Sequence, residues 1–283
     1  MQADGGLSFA IFMLAYILIA FFVQAILLSF TDANSVIYIA VNSAISPLAI
    51  FLVVLYQVKY KRRSIKILSV EKFNKVHILT SLLLSLGMFF GLGFVNSVFA
   101  DFLTEIGLKI PSPTIPLNNL FELIIFSITV ALLPAIFEEL LFRGILLNSL
   151  KGENLLARIF TVSLCFSLYH CSVSQLLYQF IYGVAFCLLA ILAKSVVPCI
   201  IAHFLNNFAI LLLTYLKIDI DLTNIVSIIL GLIALIAYFL ICFLGLKGKR
   251  ENIPKKGLKY FYLPFGVFAL GICLLMILSS LLV

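Results

Sequence analysis

The chain is poor in charge. Only 11% of its 283 residues are Asp, Glu, Lys or Arg, against 64% hydrophobic. A soluble domain carries about 25% charged residues, so the composition excludes one and places the chain in a bilayer. The long apolar runs lack period-2 alternation, which argues against a membrane β-barrel and for helices. The six cysteines (165, 171, 187, 199, 242 and 273) form no CxxC pair. A disulfide framework or a cysteine zinc site is therefore not expected, and core packing is. No basic n-region precedes the first apolar run, which is too long for a signal-peptide core and reads as a retained first span. No internal repeat is evident. Histidine is scarce, with only three in the chain.

What is present is nine apolar segments near the ~20 residues that a bilayer requires. They run roughly Leu7–Phe30, Val36–Val58, Val76–Phe99, Phe121–Leu147, Leu155–Tyr169, Leu176–Ala193, Val196–Leu216, Ile225–Leu246 and Tyr262–Leu282. The expected fold is an all-α polytopic transmembrane bundle of eight to nine spans. The loop after the second segment holds Lys59, Lys61, Arg62, Arg63, Lys66, Lys72 and Lys75; the loop after the eighth holds Lys247, Lys249, Arg250, Lys255, Lys256 and Lys259. With the N-terminus cytoplasmic and the segments alternating, Arg143, Lys151, Arg158 and Lys194 also lie on or toward the inner side. Only Lys109 and Lys217 then lie outside, as the positive-inside rule asks. These loops account for the net charge of +7 without a nucleic acid partner.

Against this background one stretch stands out: Glu138-Glu139-Leu140-Leu141-Phe142-Arg143-Gly144. A charge at the centre of a membrane helix costs about 2.5–3.5 kcal/mol, so three without partners would cost about 8–10 kcal/mol. They must be paired. Glu139 and Arg143 are four apart and share a helix face; Glu138 points about 100° away and needs another partner. His77 opens the third segment beside Lys72 and Lys75 and reads as an interfacial residue. His170 and His203 are embedded in apolar sequence. His203 has Asn206 and Asn207 one turn on, and His170 has Phe166 one turn before. At 1.5 Å per residue from the inner ends of their spans, Glu138 lies about 18 Å deep, His170 about 22 Å, His203 about 10 Å and Asn207 about 16 Å. Tilt and side-chain length bring the four toward one mid-membrane cavity, which Pro134 would widen by breaking the helix ladder.

Such a set supports water activation. A carboxylate and an imidazole hold a water and take its proton, and a second imidazole and an amide donate to the oxyanion formed on a carbonyl. Arg143 would keep Glu139 ionised. No Ser, Thr or Cys stands with its own base, so direct attack by water is favoured over a covalent nucleophile. Elsewhere, Gly87-Met-Phe-Phe-Gly91 has the small-xxx-small spacing of a close helix contact, and Pro111, Pro113 and Pro116 mark the loop Asp101–Asn119 as extended or turned. The first three segments and the last two read as scaffold (1–120 and 217–283) around a core at 121–216.

The three pairs Glu138-Glu139-x-x-x-Arg143, Phe166-x-x-x-His170 and His203-x-x-x-Asn207 resemble, in order and on three hydrophobic segments, the motifs of the CAAX-processing and bacteriocin-processing (CPBP, or Abi) intramembrane proteases. That family includes the Ras-converting CAAX endopeptidases. The likeness covers Phe121 to about Ile210 and extends to Phe180-x-x-Gly183 and Pro198; it departs at Cys187, where many relatives carry a second Gly. It implies endopeptidase cleavage in or beside the bilayer of peptides or membrane proteins, bacteriocin precursors among them, in a multi-pass protein of a bacterial plasma membrane. Glu138 and His170 would activate water, His203 and Asn207 would stabilise the oxyanion, and Glu139 and Arg143 would support the first motif. The family's metalloprotease label makes Glu138, His170 and His203 a candidate zinc set with one open position; a metal-free glutamate site is equally consistent with the residues, which lack HExxH compactness. Two other classes share the features: a non-catalytic bacteriocin-immunity or scaffold protein, and a proton-coupled transporter, since intramembrane Glu and His also form proton relays.

Overall fold

Capping side chains set where the helices start. Ser35, Asn119, Asn154 and Asn224 each accept a backbone N–H from the first turn that follows, satisfying a donor with no intrahelical partner. At Asn119 the cap is reciprocal: Glu122 accepts the backbone N–H of Asn118 at 2.5 Å and donates its own to Asn119 at 3.0 Å. Lys194 and Lys217 close two helices in the left-handed conformation, with φ of 54° at each. The computed structural model describes residues 2–108, 110, 115–247 and 258–281. Lys109, Pro111, Pro113 and the basic residues Lys249, Arg250, Lys255 and Lys256 lie outside that set.

Nine helices result among the described residues: α1 (Gln2–Leu28), α2 (Val36–Tyr60), α3 (Val76–Glu105), α4 (Leu120–Ser149), α5 (Leu155–Tyr169), α6 (Leu176–Ala193), α7 (Val197–Leu216), α8 (Ile225–Leu246) and α9 (Lys259–Ser279). There is no strand among the described residues. Eight of the helices are long and apolar enough to cross a membrane, and side chains such as Phe21, Ile233 and Ile236 point outward with more than half their surface exposed. The protein is an all-α polytopic bundle. Several boundaries shift from expectation: α1 starts at Gln2 rather than Leu7, α2 ends at Tyr60 rather than Val58, and α9 starts at Lys259 rather than Tyr262; α3 runs on past Phe99 to Glu105 and α4 ends at Ser149, where polar last turns (Asp101, Thr104, Glu105; Asn148, Ser149) carry each helix beyond its apolar run.

The fifth segment is the exception. α5 has 15 residues, a rise of about 22 Å against a hydrocarbon core of about 30 Å. It forms a hairpin with α6 that enters and leaves at the same end of the bundle. That end is the basic one. There Asn148 donates to the Ile67 carbonyl (2.9 Å) and the Ser69 hydroxyl (2.6 Å), Ser195 donates to the Glu71 carbonyl at 2.8 Å, the Val196 N–H donates to Ser69 at 3.0 Å, and Arg63 pairs with Asp4.

Packing is uneven along the bundle. The main core joins Phe9, Phe12 and Met13 of α1 to Phe142, Phe166 and Phe186 of α4, α5 and α6, in the basic half. A smaller cluster around Phe126, Ala131 and Leu211 holds the opposite half. Close approaches rest on glycine. A Cβ on Gly231 of α8 would lie 2.3 Å from the Gly91 nitrogen of α3, so the Gly87–Gly91 pair does bring a helix close. A Cβ on Gly183 of α6 would lie 2.7 Å from the Ser163 Cα of α5. Cys187, one turn on, is fully buried in the same hairpin. Ser81 and Ser85 of α3 donate to the Pro198 and Ala202 carbonyls of α7 (2.8 and 3.1 Å).

Candidate active site

α4 carries the acids on a regular stretch, Leu133–Glu139, between two wider π-helical stretches, Ser127–Leu132 and Leu140–Leu146. Such wide turns re-aim side chains and recur at functional sites. Pro134 sits at the start of the regular stretch. It has no N–H for the carbonyl of Val130 one turn back, and that carbonyl accepts instead from Asn207 Nδ2 of α7 at 3.2 Å. The broken ladder thus ties α4 to α7 at the site itself.

Glu139 and Arg143 are both fully buried and meet as the spacing predicts, Nη1 to Oε1 at 3.1 Å. The same carboxylate oxygen faces His203 Nδ1 at 3.0 Å, a link that spans 64 residues of sequence. The guanidinium is caged by rings, its Cζ 4.2 Å from the Phe166 centroid and 4.9 Å from that of Phe186, and Nη2 approaches the Gly183 carbonyl at 3.5 Å. Ring faces hold a cation by their quadrupole, most strongly away from water. Phe166 serves twice, since its carbonyl also accepts from His170 Nδ1 at 2.7 Å. A carbonyl only accepts, so His170 carries a proton on Nδ1 and presents Nε2 as its other polar atom. His203, stacked on Phe186 at 5.5 Å, likewise spends Nδ1 on Glu139 and keeps Nε2.

Glu138, His170, His203, Asn206 and Asn207 all line one cavity of about 530 Å³. Glu139 and Arg143 stand behind it. Asn207 is fixed from both ends: Nδ2 donates to Val130, and Oδ1 accepts from Asn206 Nδ2 at 3.2 Å. One Nδ2 hydrogen remains. Three liners had no role in the sequence reading. The Tyr169 hydroxyl interacts with the Glu138 carboxyl, Tyr182 interacts with Asn206, and Gln179 is nine-tenths buried. Gln179 is the only amide in the apolar run of α6, the signal by which it was detectable. The wall is not confined to 121–216: Ser43 of α2, Asn96 and Ser97 of α3, and Ile218 and Ile220 beyond α7 contribute to it.

The candidate zinc set does not fit. Among the described residues no three His, Cys, Asp or Glu side chains converge closely enough to hold a metal ion, and Glu138, His170 and His203 are no exception. With Nδ1 bonded to Phe166 in one ring and to Glu139 in the other, each imidazole keeps only Nε2 as a further donor or acceptor. No step is derived through a metal.

No curated protein and no solved structure matches the chain. A family model does, and it overlies the helices that bear the acids, the imidazoles and the amides: residues 120–209 match the Rce1-like family, described as type II CAAX prenyl endopeptidase Rce1-like.

Proposed function

We propose that the protein is an intramembrane endopeptidase that cleaves membrane-associated peptides or proteins by water activated at Glu138. The observation that carries this is the meeting on one cavity wall of Glu138, His170, His203 and Asn207, from three helices, all inside the segment similar to a protease family. His170 Nε2 accepts one hydrogen of the attacking water and the Glu138 carboxylate takes the other as a proton. The hydroxide adds to the scissile carbonyl. The resulting oxyanion is met by the free Nδ2 hydrogen of Asn207 and by Nε2–H of His203 when that ring carries both protons, the Glu139 carboxylate balancing its charge. Glu138 then returns its proton to the departing amine, so one amide bond and one water become an acid and an amine.

Arg143 takes no part in these transfers. It fixes Glu139, and through Glu139 the ring of His203. The test is turnover of a fluorogenic peptide in proteoliposomes. Glu138→Gln and His170→Ala are expected to lower kcat by about 10²–10⁴-fold, the usual share of a positioned acid–base pair. Unchanged cleavage by either variant refutes the assignment. Because the donor set does not fit a metal, wild-type turnover is expected to survive a chelator, and loss of activity that zinc restores would instead favour the metalloprotease reading.

A further inference from the structure

The cavity climbs from Glu138 at mid-depth past Asn96 and Ser97 to Thr214 and Ile218, where Ile218 is half exposed. The tip of the α5–α6 hairpin lines its floor through Tyr169, His170, Tyr178, Gln179 and Tyr182, and the cavity opens away from the end where the hairpin starts and finishes. At the other end the chain is closed over: Leu68 is buried, its backbone 3.0 Å from where a Cβ on Gly144 would sit, and Asn148 and Ser195 tie the 67–71 segment down. Among the described residues that closed end carries the basic side chains of the 59–75 loop together with Lys151, Arg158, Lys194, Lys247 and Lys259. Basic loops stay in the cytoplasm, which puts the mouth of the cavity on the other face.

The lining also says what fits. Among the described residues no Lys, Arg or Asp reaches the cavity, and Glu138 is its single acid. A substrate carboxylate buried there would meet the Glu138 carboxylate and no Lys or Arg, a costly arrangement. By contrast three buried acceptors of the wall, Glu138 Oε2, Gln179 Oε1 and Asn206 Oδ1, have no hydrogen-bond partner, and their residues are only 5%, 9% and 4% exposed. Turned toward the cavity, they would be satisfied by N–H groups along an extended peptide backbone. We propose that the site takes an uncharged, apolar peptide segment presented from outside the cytoplasm, at the membrane face opposite the basic loops. This rests on the proteolytic reading above for its purpose, though not for its test.

The experiment places single cysteines in the full chain, with Cys171→Ser removing the one native cysteine that is not buried. Ser97→Cys lies in the cavity wall, Ile218→Cys at its mouth, and Lys66→Cys in the basic loop. Intact cells are treated with a membrane-impermeant maleimide. Positions 97 and 218 are expected to react at least about tenfold faster than position 66, which reacts only after permeabilisation. The reverse order, or a position 97 that reacts in neither condition, overturns the proposed route. A neutral apolar peptide is then expected to slow modification at position 97 by about tenfold, while the same peptide with a central Gln changed to Glu does not. Equal protection by both, or by neither, overturns the proposed occupant. Protection without turnover by the wild type would instead sink the protease reading and leave the binding site standing.

Discussion

At the residue scale, the site depends on one buried charge pair and on how it is held. Glu139 and Arg143 were legible as partners because four residues bring two side chains to one helix face. The second half of the arrangement was not legible: Glu139 reaches His203 across 64 residues, and only tertiary packing sets that distance. Nor did the sequence announce that Phe166 and Phe186 would cage the guanidinium, since in an apolar helix a ring beside a charge looks like any other core residue. The arrangement makes a sharp expectation for Glu139→Gln. Removing one partner leaves Arg143 buried and uncompensated, which costs about 3–5 kcal/mol. The variant should melt well below the wild type in detergent and should also lose turnover, because His203 is no longer oriented. Arg143→Lys should fail similarly despite its retained charge, since an ammonium lacks the planar fork and ring-stacking face that the Phe166–Phe186 cage fits. A Lys variant with wild-type melting temperature and kcat would show that charge alone suffices.

At the scale of the elements, the helices themselves were readable from apolar length and loop charge, and the paired glycines of α3 from their spacing. What was not readable was how the backbone departs from regularity. The π-helical stretches on either side of Glu138–Glu139 carry no sequence mark other than Pro134, and the bond from Asn207 to the Val130 carbonyl needs both helices in place. Pro134→Ala separates the two roles of that proline. It returns an N–H that competes for Val130 and so releases Asn207. Stability should hold or rise, because Ala is the better helix former, whereas kcat should fall. Equal or higher kcat would mean that Asn207 does not need Val130. Gly183→Ala tests a different contact. Its Cβ, 2.7 Å from Ser163 Cα, must push α6 away from α5, an overpacking worth about 1–3 kcal/mol, and it displaces the carbonyl nearest Arg143. The measurement is the unfolding midpoint, and an unshifted midpoint would show that the hairpin yields freely.

Across the whole molecule, the packed core sits at the basic end and the cavity at the other, and the short α5–α6 hairpin is the cause of both. The tip of that two-helix hairpin floors the cavity through Tyr169, His170 and Gln179, and α2, α3, α4 and α7 wall the rest. For that reason a division of the sequence into scaffold and core, which follows the polar motifs, misses Ser43, Asn96 and Ser97. They sit on helices whose remaining faces are apolar, and single amides or hydroxyls there are indistinguishable from packing glue until the wall is assembled. The division of labour predicts a trade between stability and function. Asn96 Oδ1 and Gln179 Oε1 are buried without partners, and leaving such an acceptor unsatisfied costs about 1–3 kcal/mol. Asn96→Leu and Gln179→Leu remove the polar atom at similar volume. Each should raise the unfolding midpoint while lowering kcat/KM for a peptide substrate through KM, since neither touches the water at Glu138. A midpoint that falls would mean that these amides hold the bundle together, and an unchanged KM would mean that no substrate backbone reaches them. Either result would separate the wall of the cavity from the chemistry at its floor.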